Sequence, residues 1–244
     1  MTPLKQRHGG FSLIELSVAI IVITLLVGSL LVPLSTQVDK RRYAETEKHL
    51  EQIREALIGF ALAKRYLPCP AISASNGVED RDGATNACTE TSPGNPKRDG
   101  FVPWTTLGVV PYDAWDNLIR YSIDPDFAKS GPNDLFSLSS TGDIQIRDRD
   151  ESGATVDITN PEIPAIIISH GKNGFGATSS AGVARAVPGS WAGDEKDNDT
   201  NTTLFYARKR TEETSTTGGE FDDAVAWVSL NQLFARMVSA GQLP

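Results

Sequence analysis

The chain has 244 residues, 31 of them acidic and 23 basic, for a net charge of −8, so it has no general electrostatic attraction for nucleic acid or anionic lipid. Hydrophobic residues make up 39% and charged residues 22%, which excludes a disordered tail and a many-span membrane protein. The two cysteines, Cys69 and Cys88, and three histidines, His8, His49 and His170, are too few for a four-cysteine zinc site or a histidine-rich catalytic metal centre.

The first ten residues, MTPLKQRHGG, carry Lys5 and Arg7 and no acid. From Phe11 to Leu34 the sequence is apolar, with Glu15 its one charge. At about 1.5 Å per residue a helix there spans roughly 36 Å, enough for a hydrocarbon core of about 30 Å. The basic residues precede the run, so its start faces the cytoplasm and everything after Leu34 lies across the membrane. A plain secretory signal peptide fits less well. Its apolar core is usually about 7–15 residues, and this run is longer and flows directly into a helical pattern. Glu15 stands out because a carboxylate within an apolar membrane helix costs about 2.5–3.5 kcal/mol on insertion scales. Pro33, with Gly28 and Ser29, predicts a kink or local melting over 28–33, or marks the membrane exit.

Gly10-Phe11-Ser12-Leu13-Ile14-Glu15, behind a short basic leader, resembles the prepilin cleavage and methylation motif of type IV pilins and type II secretion pseudopilins. The likeness covers about residues 1 to 65. It implies that a prepilin peptidase cuts between Gly10 and Phe11 and that the new amine of Phe11 is methylated. It further implies that Glu15 pairs with that amine on a neighbouring subunit and so sets filament register; the alternative is that Glu15 snorkels to the headgroups. The implied location is a bacterial inner membrane, crossed once with the carboxy-terminal part in the periplasm, and then a filament. The implied partners are other pilin or pseudopilin subunits, the peptidase and an inner-membrane assembly platform.

From Val38 to Tyr66 apolar residues recur at steps of three and four, at Tyr43, Leu50, Ile53, Leu57, Phe60 and Ala61, which predicts an amphipathic helix with a globular domain on its apolar stripe. Lys40, Arg41, Glu45, Lys48, Glu51, Arg54 and Glu55 fill the other face. Arg65-Tyr66-Leu67-Pro68 ends the helix, because the residue before proline disfavours helical geometry. A continuous helix of about 55 residues would be roughly 80 Å long.

Residues 68–100 are rich in Pro, Gly, Ser, Asn and Asp and read as a long irregular connection. Export places Cys69 and Cys88 in an oxidising compartment, where a bond between them persists and stabilises by roughly 3 kcal/mol in the chain-entropy model. Strands are predicted at 117–123, 135–139, 144–147, 163–170, 204–210 and 224–228. Ser229 to Gln232 reads as a capping box for a helix that ends near Ala240, with Gly241 as its stop. The predicted fold class is α+β: a long helix, half transmembrane and half amphipathic, packed on a strand-rich antiparallel head, with a short C-terminal helix. The divisions are leader 1–10, transmembrane and assembly helix 11–34, soluble half of the helix 35–66 and head 67–244.

Asp113-Ala114-Trp115-Asp116-Asn117 resembles the Asp-Pro-Trp-Gly-Asn segment of major pseudopilins, with Ala114 in place of proline and Asp116 in place of glycine. Those departures, and a mature length greater than expected of a major subunit, point to a minor one. The run Asp194-Glu195-Lys196-Asp197-Asn198-Asp199 is rich in oxygen donors. Calcium takes six to eight of these, and major pseudopilins carry calcium in a carboxy-terminal loop. Asp194, Asp197 and Asp199 are the candidate ligands, and a solvated acidic loop is the competing reading. His170 to Gly176 lacks the Ser or Thr that a phosphate loop needs after Gly-Lys. Ser169 and His170 would point to opposite faces of a strand, which excludes them as a nucleophile–base pair. The function these features predict is a structural filament subunit with no catalytic residues and no nucleic-acid partner. The alternative is a filament-tip adhesin that binds a ligand through loops 68–100 and 171–200.

Overall fold

The computed structural model describes residues 10, 12–71, 73–92 and 94–243, with the backbone alone at 27–34. The leader before Gly10, Phe11 and the side chains of Gly28, Ser29 and Pro33 therefore lie outside the described residues. The chain divides into two compact units, 1–42 and 43–244.

In chain order the elements are α1 (Leu13–Lys64), β1 (Arg81–Asp82), β2 (Ala87–Cys88), β3 (Glu90–Ser92), β4 (Asn95–Pro96), β5 (Asp99–Phe101), α2 (Trp104–Leu107), β6 (Arg120–Ile123) and α3 (Pro125–Ala128). There follow β7 (Gln145–Arg149), β8 (Thr155–Asp157), β9 (Ala165–Ser169), α4 (Asp194–Thr200), β10 (Leu204–Tyr206), β11 (Ala224–Val228) and α5 (Leu230–Ser239). The arrangement is α+β, with a long amino-terminal helix and strand-rich sheets. The helix α1 continues through 28–33 without a break, so the expected melting there does not occur.

The head is organised by the pleat of β9. Its neighbours are antiparallel, in the order β11-β9-β6-β5. Side chains alternate across a strand, and every residue of β9 is buried. Ala165 and Ile167 join one core cluster with Leu50, Ile53, Leu57, Ile58 and Ala61 of α1 and Leu230, Leu233 and Met237 of α5. Ile166 and Ile168 join another, with Ile144, Ile146, Ile163 and Phe205. The helices thus cover one face of the central sheet, and the second sheet, β10-β7-β8, covers the other. Arg236 of α5 donates from Nη1 to Glu55 Oε2 of α1 at 2.8 Å on the helical side.

The head also departs from the sequence expectations. Strand β10 pairs with β7 in parallel, so the head is not wholly antiparallel. No strand forms at 135–139. There Ser137 and Ser139 share a hydroxyl hydrogen bond, and Ser140 Oγ accepts from the Ser137 N–H; such local bonds compete with a ladder. Ser229 stands at the N-cap of α5, but its side chain makes no capping hydrogen bond; the stop is as expected, with Gly241 at φ 68°. The stretch 68–100 is less irregular than its composition suggests, holding the antiparallel pairs β1–β2 and β3–β4. Cys69 and Cys88 form a disulfide with Cα atoms 5.4 Å apart. Arg81 fastens this loop by donating from Nη1 to Ala128 O at 2.6 Å and from Nη2 to Leu67 O at 3.3 Å.

Candidate functional site

Two places concentrate chemistry, one in each unit. The first is the start of α1. Ser12 precedes the helix, and its Oγ accepts from the Ile14 N–H at 3.3 Å while its own N–H donates to Glu15 Oε2 at 2.9 Å. This is a reciprocal capping box. Its signal, Ser-x-x-Glu before an apolar run, stands in the sequence, yet the acid draws notice there as an intramembrane charge and as part of the cleavage motif, not as a cap. The cap satisfies otherwise orphaned helix donors and sets a negative charge at the positive end of the helix dipole. A carboxylate has about four acceptor positions, so Glu15 can cap its own helix and still receive a further donor. Its expected partner, the amine of Phe11, lies outside the described residues. Beyond the cap the large apolar residues are exposed, from Leu13 at 88% to Leu26 at 59%. Among the described residues no helix is both long and apolar enough to cross a membrane.

The second place is a buried acidic centre in the head. Glu195 of α4 meets Asp222 and Asp223, which directly precede β11, and one carboxylate oxygen from each lies within 4.8 Å of the others. Glu195 accepts from Asn173 Nδ2 at 3.0 Å, Asp222 from the Asn173 N–H at 2.8 Å and Asp223 from Asn198 Nδ2 at 2.8 Å. Oδ1 of both Asp222 and Asp223 is buried without a hydrogen-bond partner. His170 Nδ1, also buried, lies 3.6 Å from Asp223 Oδ1. Burial raises the Glu195 carboxyl well above the usual carboxylate range, and the neighbouring charges of Asp223 and Asp222 add to the effect. Asp222 is raised by burial first, and further by Asp223 and Glu220. Gly171 permits the close packing: at φ 57°, a Cβ there would lie 2.2 Å from Asp222 Oδ1.

Burial and mutual proximity thus favour the neutral forms of Glu195 and Asp222. The alternative form of charge compensation is a hard metal ion, for which an all-oxygen donor set with two unbonded oxygens is suited. The ligands expected from the acidic run are not the ones assembled. Asp194 is fully buried, and its carboxylate pairs with Arg149 at 2.6 Å and Arg208 at 2.7 Å. At about 100° per helical residue, Asp199 points roughly 200° away from Asp197. Of the run's carboxylates, Glu195 alone joins the centre, with Asn198 donating to Asp223 beside it. Asp222 and Asp223 come from a loop 27 residues further along the chain from Glu195 to Asp222, a convergence that spacing within the run does not encode.

The Asp113–Asn117 segment is a tied loop. Asp113 Oδ1 accepts from the N–H groups of Trp115 at 2.9 Å and Asn117 at 3.0 Å, and its Oδ2 accepts from Ser169 Oγ at 2.6 Å. Asp116 has φ 66°, a backbone region that favours glycine, so the aspartate occupies a glycine conformation at the position where the resembled segment has glycine. Ser169 turns to Asp113 and His170 to Asp223, so the two do not form a nucleophile–base pair.

Residues 5–31 match the family model of the prokaryotic N-terminal methylation motif. This is the prepilin-cleavage signal of type IV pilins and pseudopilins, a mark of structural subunits rather than of an enzyme family. No curated protein and no solved structure matches the chain.

Proposed function

From the premise that residues 5–31 carry a prepilin-cleavage signal, we propose that the chain is a minor pilin or pseudopilin. It is held by the Phe11–Leu34 segment in a bacterial inner membrane with its head in the periplasm, and then built into a filament. A prepilin peptidase cuts after Gly10, Phe11 is methylated, and the assembly platform moves the subunit from lipid into contact with other pilin subunits. The carrying observation is the exposed apolar surface from Leu13 to Leu26, just past the Gly10–Phe11 cleavage point within that signal. Apolar surface of that extent calls for lipid or neighbouring subunits as its environment. Glu15 keeps its cap on Ser12 while its remaining acceptor positions take the methylated amine of the next subunit. Mass spectrometry of the chain from its own cells is expected to find a methylated Phe11 as the first residue. An intact Met1 in cells with active peptidase would rule this out.

A second element of the proposal is a divalent cation, of which calcium is the natural choice, held by Glu195, Asp222 and Asp223. The unpartnered oxygens of Asp222 and Asp223 support it. The cation would supply charge compensation and tie α4 to the start of β11. Calcium added to chelator-treated protein is expected to raise the melting temperature of the head, and Asp222→Asn to remove the response. An unchanged melt in wild-type protein at millimolar calcium would exclude this cation.

A further inference from the structure

An Asn-x-Ser/Thr triplet is the acceptor sequence for N-linked saccharide in exported proteins. The chain contains two, Asn198-Asp199-Thr200 and Asn201-Thr202-Thr203, and the fold treats them oppositely. Asn198 is fully buried. Its amide donates to Tyr206 O at 3.0 Å and Asp223 Oδ2 at 2.8 Å, and its Oδ1 accepts from the Tyr206 N–H at 2.7 Å. Thr200 Oγ1 donates to Lys196 O at 2.8 Å. Every group a transferase would need there is occupied.

Asn201 sits just past α4 in extended backbone, φ −82° and ψ 159°, with its N–H donating to Asp197 O. Its carbonyl accepts from Arg120 Nη2 at 2.9 Å. The Thr203 carbonyl accepts from the Gln145 N–H at 2.8 Å. The backbone is thus held from behind by the head. The side chains are not: among the described residues no hydrogen bond holds the Asn201 amide, and Asn201 is half-buried, so solvent reaches it where it does not reach Asn198. Thr203 is exposed.

We propose that Asn201 is an N-glycosylation acceptor, a site that rests on the exported topology proposed above. The co-reactant is a polyprenyl-diphosphate-linked saccharide, brought by a separate membrane transferase. The Asn201 Nδ2 attacks C1 of the saccharide. The N–C1 bond forms, the C1–O bond to the diphosphate breaks, and one amide proton leaves as the polyprenyl diphosphate departs. No oxidation or reduction is involved. A saccharide at this turn would stand outside the head, remote in sequence from the segment that enters the filament.

The test uses the full chain in detergent, disulfide intact, with a purified oligosaccharyltransferase and its lipid-linked donor. An Asn-x-Thr peptide serves as the positive control. Fragmentation mass spectrometry is expected to place one saccharide on Asn201 and none on Asn198. Occupancy should persist in Thr203→Ser and fall by at least about tenfold in Asn201→Gln and Thr203→Val, because the acceptor sequence needs both the amide and a hydroxyl residue. Absence of transfer to Asn201 while the control peptide is modified, or transfer to Asn198 in the folded chain, overturns the proposal. The first residue of the chain purified from its own cells, Phe11 or Met1, reports on the anchoring reading separately, so failure of one is not confused with failure of the other.

Discussion

The stretch from Leu13 to Leu26 and the head that begins at Tyr43 use the same residue types to opposite ends. In the first, leucine, isoleucine and valine are exposed, Leu25 at 69% and Ile23 at 59%. In the second, Leu57, Ile58 and Ile167 are wholly excluded from water. At roughly 25 cal/mol per Å² of apolar area removed from water, the head gains its stability within one chain. The amino-terminal stretch can gain the equivalent only from lipid or from other chains. One helix, α1, carries both programmes, and its polarity pattern changes from apolar on all sides to striped where the head begins. Hydrophobicity alone therefore says little; what matters is whether the periodicity leaves a polar face.

The largest expected effect comes from breaking the head's side of this contrast. Leu57→Ala removes a fully buried side chain from the cluster that joins α1 to the central sheet, and such truncations cost about 2–5 kcal/mol. A denaturant melt should show a loss of that size, while cleavage after Gly10 proceeds at the wild-type rate. Slowed cleavage in this variant would mean that the two regions are coupled.

A smaller effect is expected at the start of α1, where two substitutions separate two roles. Ser12→Ala removes the cap on Ile14, a loss of about 1 kcal/mol of local helix stability, and leaves the Glu15 carboxylate in place. Glu15→Ala removes both the cap and the charge. If Glu15 acts in assembly, its variant should enter filaments far more slowly than Ser12→Ala, with both inserted normally in the membrane. Equal incorporation of the two variants would reduce Glu15 to a capping residue. Comparison of filament yield with membrane-bound protein gives the answer.

How far the sequence discloses this molecule follows the same division. The cleavage motif and the stripe on α1 are linear patterns, set by neighbours a few residues apart, and both are readable without coordinates. The limits of β11 are legible for the same reason, since a short apolar run preceded by acids and followed by Ser229 has clear ends. The acidic centre is not legible. It depends on Glu195 and Asp222 meeting across a loop closure, and the conspicuous Asp194 is diverted to Arg149 and Arg208. Phe136 shows the intermediate case. Its alternating surroundings suggest a strand, and burial does follow, but the serines around it bond locally and keep the backbone in a turn.

The remaining effect concerns pH, and it belongs to the head alone. Asp124 caps α3, its Oδ1 accepting from the Asp126 N–H at 2.9 Å. Burial, above all, raises its carboxyl from an ordinary 3.8 to about 6; the charges of Asp143 and Asp126 add to the shift, and the Asp126 N–H and Arg98 oppose it. Between those two values the folded head holds a proton that the unfolded chain has released, so ionisation of Asp124 works against folding. Its contribution is complete below about pH 3.8 and is lost as pH rises through about 6. Asp124→Asn keeps a competent cap and removes the titration. The difference between wild-type and variant melting temperatures should therefore shift in the variant's favour from pH 4 to pH 7 and change little above that. Taking the difference between the two proteins cancels the parallel contribution of Glu195 and Asp222, whose carboxyls are raised in the same direction. A difference that stays flat across this range would show that Asp124 is not held in its neutral form by the fold.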